Sequence, residues 1–135
     1  MRGSETNPDD WFAIARKDLE RAGARLREGD LEDCTFRLQQ AAEKAMKGAL
    51  IQRGWNLARV HMCTALIDKL ADFGVDVEWF RPTAEMCEIE YFATRYPGGW
   101  DEPPTASEVN RLVEETRKLF AQLVPSTPPE PPPEA

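Results

Sequence analysis

Between Asp30 and Gly54 the chain reads DLEDCTFRLQQAAEKAMKGALIQRG, and this stretch decides the fold. Leu31, Cys34, Leu38, Ala41, Ala42, Ala45 and Ala49 recur every three or four residues, the spacing of one helix face. The alanines on that face let a neighbouring helix pack close. Gly54 stands where a helix ending in a left-handed residue needs a glycine. The spacing therefore predicts a helix from about Asp30 to Arg53.

Working outward, the preceding segment has a marked helix start. Asn7 is a good N-cap, Pro8 suits the first helical position, and Asp9 and Asp10 favour the positive end of the dipole. Trp11, Ala15, Leu19, Ala22 and Leu26 give its apolar stripe, and Gly29 ends it. A third, shorter helix is predicted from His61 to Phe73, lined by Met62, Leu66, Leu70 and Phe73. A fourth reaches Arg95, with Pro82 starting or kinking its first turn and Ile89, Phe92 and Ala93 on its apolar face. Tyr96-Pro97-Gly98-Gly99 must terminate it. The last helix opens on the capping box Thr105-Ala106-Ser107-Glu108 and carries Val109, Leu112, Val113, Thr116, Phe120 and Leu123. No segment alternates with period two. The expectation is an all-α, up-and-down antiparallel helical bundle of four main helices plus a shorter one.

Residues 1–7 are expected to be disordered and residues 8–124 to form the bundle. From 125 to 135 six of eleven residues are proline, which predicts a disordered, extended tail. No apolar run approaches the ~20 residues that span a bilayer, and no secretory signal pattern is present, so a cytoplasmic location without membrane contact is expected. Cys34, Cys63 and Cys87 are odd in number and widely spaced, as expected of buried reduced thiols. With one histidine and no CxxC pair, neither a metal nor another cofactor is expected.

The net charge of −7 argues against generic nucleic-acid binding, DNA included. Residues 1–60 nevertheless carry 11 Lys/Arg against 10 Asp/Glu, whereas residues 61–135 carry 6 against 14. An anion-binding surface therefore belongs to the N-terminal half. On the second helix Arg37, Gln40, Lys44 and Lys47, spaced 3, 4, 3, form one polar, basic stripe beside the alanine face. Lys17, Arg21 and Arg25 form another on the first helix. Adjoining stripes would make a positive patch; the plainer alternative is a solvated face with ordinary ion pairs such as Glu43–Lys47. His61 offers an acid/base or ligand contact, or a backbone-bonded structural imidazole. Arg95, at the end of the fourth helix beside Tyr96, could hold a phosphate or close the helix. Trp11, Phe12, Trp55, Trp79, Phe80, Phe92, Tyr96 and Trp100 are many aromatics for a small bundle; they either cap the bundle ends or form an oligomer interface, where aromatics are enriched.

Four pieces in order resemble the HEPN family of small helical domains. They are Ala15–Ala22, Gln39–Lys47, His61 opening the third helix, and Arg95-Tyr96-Pro97 ending the fourth. The resemblance implies a helical bundle, commonly a homodimer, and often a minimal nucleotidyltransferase partner in toxin–antitoxin-like systems. It also implies nucleotide binding, for which the candidate residues are Arg37, Gln40, Lys44, Lys47, His61, Arg95 and Tyr96. Many HEPN members are ribonucleases marked by an arginine, four to six intervening residues and a histidine. Here Arg53 precedes His61 by seven intervening residues and Arg59 by one, and no histidine follows Arg95. The expectation is thus a non-catalytic module that binds a nucleotide, an RNA or a nucleotidyltransferase partner. The alternatives are a ribonuclease toxin with His61 and Arg95 of two chains in a composite catalytic site, and a structural interaction domain with the tail as ligand.

Overall fold

The computed structural model describes residues 4–56, 59–95 and 103–126, with backbone alone at 91–95. Five α-helices follow one another: α1 Pro8–Arg27, α2 Leu31–Gln52, α3 Cys63–Asp72, α4 Arg81–Arg95 and α5 Ala106–Leu123. A 3₁₀ turn, Glu78–Phe80, leads into α4, and no strand occurs among the described residues. The all-α bundle expected from the spacing is the observed fold.

The local chemistry behind each start and stop is visible. The Asn7 side chain accepts from the Asp9 amide, and Thr105 accepts from the Glu108 amide. Ahead of α1, the Ser4 amide donates to Asp10. Gly29, at φ 78°, closes α1: its amide donates to Leu26 and the Asp30 amide to Arg25. Asp30 then caps α2 through the Asp33 amide. The three-residue link makes α1 and α2 an antiparallel hairpin. Pro82 lies in the first turn of α4, where its missing N–H costs nothing.

Helix α2 packs against all four other helices and is the spine of the bundle. Its alanines 41, 42, 45 and 49 are wholly buried. Gly48 carries the closest approach: a Cβ there would stand 2.7 Å from the Phe12 ring. One apolar cluster gathers Met46, Leu50, Leu66, Leu70, Phe80 and Leu119 at the α3 end. Another gathers Ala22, Cys34, Leu38, Val109 and Val113 near the α1–α2 turn. All three cysteines are buried and free, and burial pushes their thiols up, Cys34 to about 11.

Several sequence expectations change, among them Met62 and Phe73, placed on the inner side of the third helix but 47% and 38% exposed. Phe12, 1% exposed, fills the core position given to Trp11: both keep helical spacing, and it is the Phe12 ring that packs against the bare backbone of Gly48. Ile89, assigned to the apolar face of α4, is 58% exposed. Helix α3 begins at Cys63, so His61 and Met62 precede it, Met62 in extended backbone. The expected disordered tail lies outside the described residues beyond Ser126.

Candidate functional site

The two basic stripes do adjoin, but carboxylates are interleaved between them. Asp18 on α1 is 4% exposed and accepts from Lys44 of α2 at 2.9 Å, with Arg21 3.8 Å away. Asp33 receives Arg25 at 3.0 Å and Arg37 at 3.5 Å. The expected uniform positive patch is therefore an alternating network. Neither is this an ordinary solvated face: Gln39, Glu43 and Lys47 are all buried. Burial of these groups without partners would be expensive, so each is bonded to another.

The centre of the network is Glu43. Its Oε1 lies 3.5 Å from Lys47 Nζ and 3.2 Å from His61 Nδ1, and Lys47 Nζ is 3.4 Å from the same ring nitrogen. His61 reaches this point from the segment that precedes α3. The shorter contact, to the carboxylate, favours Nδ1–H donating to Glu43 and leaves Nε2 as the acceptor. The ring stays 72% exposed while Glu43 and Lys47 are nearly sealed.

A chain of side-chain donors runs beside it. Lys44 donates to Gln40 Oε1 at 2.9 Å, Gln40 to Gln39 Oε1 at 2.7 Å, and Gln39 to the His61 carbonyl at 3.4 Å. Every bond points the same way, so each polarises the next. Glu88 of α4 completes the floor, accepting from the amide and hydroxyl of Thr64 at the start of α3.

These groups line one cavity of ≈ 520 Å³, walled by Trp11 and Phe36. The Trp11 ring lies 5.5 Å from Lys47 Nζ, and its indole N–H donates to the Glu5 carbonyl. Of the residues chosen from the sequence, Gln40, Lys44, Lys47 and His61 meet here. Arg37 does not line the cavity; it turns to Asp33 and over the Phe36 ring at 5.4 Å. The Arg95 side chain and Tyr96 lie outside the described residues. Gln39, Glu43, Asp18 and the aromatic walls were not chosen. Asp18 and Lys44 are 26 positions apart, and only the α1–α2 packing makes them partners.

The chemistry available is specific. Two ammonium groups, two carboxylates and one half-free imidazole share the cavity with two primary amides and two aromatic faces. That set suits a flat, hydrogen-bonding ligand with an anionic end. No group of His, Cys, Asp and Glu suited to a metal ion occurs among the described residues.

Comparison with known proteins supplies the lineage. Residues 8–124, from the first residue of α1 to just beyond α5, match the HEPN domain. The chain belongs to the HEPN family. The crystal structure of TT1696 from Thermus thermophilus superposes on this HEPN protein with a TM-score of 0.75 at 30% identity, covering 86% of this chain and 94% of that one. No curated protein matches the sequence. No helix among the described residues is long and apolar enough to cross a membrane.

Proposed function

We propose that this HEPN protein is a non-catalytic nucleotide-binding module whose site is the cavity between α1, α2 and the segment entering α3. The observation that carries this reading is the convergence of Gln40, Lys44, Lys47 and His61 on one cavity with aromatic walls. A base stacks on Trp11 or Phe36, the Gln39 and Gln40 amides meet its edge, and Lys44 and His61 face the phosphate. Stacking contributes about 1–3 kcal/mol per base. The carboxylates keep the cavity near neutral, so recognition rests on the base as much as on the phosphate.

In a cell the module works as a homodimer beside a minimal nucleotidyltransferase, in a toxin–antitoxin-like pair in the cytoplasm. Support for these points comes from the family resemblance. Trp79, Met86 and Ile89 are exposed apolar side chains of the kind a partner covers.

One observation favours a second reading. A buried carboxylate holding Nδ1 of an exposed imidazole is how proteins prepare a general base at Nε2. A ribonuclease using His61, with Arg95 from a second chain, would employ the same cavity.

Calorimetric titration with ATP, GTP and a short RNA tests both. Micromolar binding of one nucleotide, weakened about tenfold or more in Trp11→Ala and in Lys44→Ala, is expected. No binding by the wild type to any of the three would sink the nucleotide reading. RNA cleavage lost in His61→Ala would replace it by the second.

A further inference from the structure

Helix α1 carries a second set of cations, on the opposite flank of its buried stripe. Trp11, Asp18 and Arg25 stand on one side of Phe12, Ala15 and Ala22; Arg16, Glu20, Gly23 and Arg27 stand on the other, roughly half a turn away at ~100° per residue. There, Arg16, Leu19, Glu20, Gly23 and Arg27 of α1 meet Arg117 of α5 around a groove of ≈ 330 Å³.

These arginines are unlike those at the α1–α2 seam. Arg21, Arg25 and Arg37 are each within reach of a carboxylate. Among the described residues Arg27 and Arg117 have no hydrogen bond or ion pair, and Arg16 donates only to the Pro125 carbonyl. In a chain with 24 acidic residues that is a marked local surplus. The groove also has room. Gly23 has no side chain, and Arg27 occupies the space over it: a Cβ at 23 would lie 3.5 Å from an Arg27 guanidinium nitrogen. Arg27 thus folds back along α1 into the groove instead of reaching for the carbonyls at the helix end.

We propose that Arg16, Arg27 and Arg117 form a second anion site, for the oxyanions of a compact polyphosphate. Guanidinium groups match phosphate in planar, paired hydrogen bonds, and the exposed Arg27 and Arg117 have their donors free for an outside anion. The ligand is compact because the site is small and the protein carries −7 overall, which repels an extended polyanion such as a nucleic-acid backbone. Glu20, which also lines the groove, lowers the affinity by repelling the anion. The site is independent of the aromatic cavity.

Calorimetric titration with sodium tripolyphosphate, and separately with a short single-stranded RNA, tests the proposal. The wild type should bind one tripolyphosphate per chain, more tightly than the RNA. The Arg27→Ala/Arg117→Ala double variant should lose roughly tenfold or more, since each charged hydrogen bond is worth about that factor. Loss of tripolyphosphate binding in Lys44→Ala but not in the double variant would put the anion in the aromatic cavity and overturn this site. Glu20→Gln should tighten binding several-fold, roughly the effect of removing one nearby like charge. Equal affinity in the double variant, or no binding by the wild type, overturns the site. Tighter binding of RNA, lost in the double variant, overturns the compact ligand.

Discussion

The two flanks of α1 hold the same kinds of residue and put them to opposite use. Toward α2, Asp18, Asp33 and Glu43 each receive cations, and Lys44 and Lys47 are drawn under the surface. Toward α5, Arg27 and Arg117 stand without a described partner. The difference teaches that the placement of carboxylates decides what a basic stripe can do. A cation next to a buried carboxylate becomes structure, with only its unused donors left for a ligand. A cation left without one stays available to an outside anion.

The largest expected effect breaks the structural side of that comparison. Glu43→Ala leaves Lys47 buried without its carboxylate, and removing one partner of a buried pair costs ~3–5 kcal/mol. Urea denaturation should show it; a loss under about 1 kcal/mol would mean that Lys47 swings out to solvent. Gly48→Ala tests the hairpin that carries both flanks. The added Cβ meets the Phe12 ring and should cost roughly 1–3 kcal/mol, read as a lowered Tm.

Glu90 of α4 sharpens the comparison from the acid side. It is 2% exposed, and its Oε2 has no hydrogen-bond partner among the described residues. Burial, with Glu108 and Glu32 nearby, raises its carboxyl to about 7. A carboxyl raised in the folded state holds its proton more tightly there than in the unfolded chain. Stability is therefore lost as pH climbs from the ordinary carboxylate range through about 7. Glu90→Gln should stabilise by about 2 kcal/mol at pH 8. At pH 4, where both states are largely protonated, the substitution should have little effect. Equal Tm gains at both pH values would show that ionisation is not the cause. The smallest effect belongs to the free flank: Arg27→Ala and Arg117→Ala should each change stability by less than about 0.5 kcal/mol, because no described partner is stranded. A larger drop in Tm would reveal a structural role for the cation.

Much of the fold was legible because its signals are local. Asn7, Pro8, Gly29, Gly54 and Thr105 act on backbone within a turn or so, and each performs the role its type suggests. The helix over 8–27 follows from those signals and from the 3–4 spacing of small and apolar residues. At His61 the spacing misleads: periodicity continues through Met62 and suggests a helix, whereas the bonds of His61 to Glu43 and Gln39 are tertiary. At Ile89 it misleads because an apolar residue at helical spacing is not obliged to be inside.

The candidate site divides along the same line. Sequence spacing alone determined that Gln40, Lys44 and Lys47 share a helix face, since 3.6 residues per turn admits no other arrangement. It also determined the helical class, through caps and periodicity that any isolated stretch of chain would express. Only the tertiary structure decided that His61 joins that face, that Asp18 and Glu43 take up its charge, and that Arg16, Arg27 and Arg117 keep theirs. Charge pairing between helices depends on which flanks meet and how far each side chain is from water. Those distances are set by the packing of Phe12 against Gly48 and of α2 against its four neighbours, which no local spacing encodes.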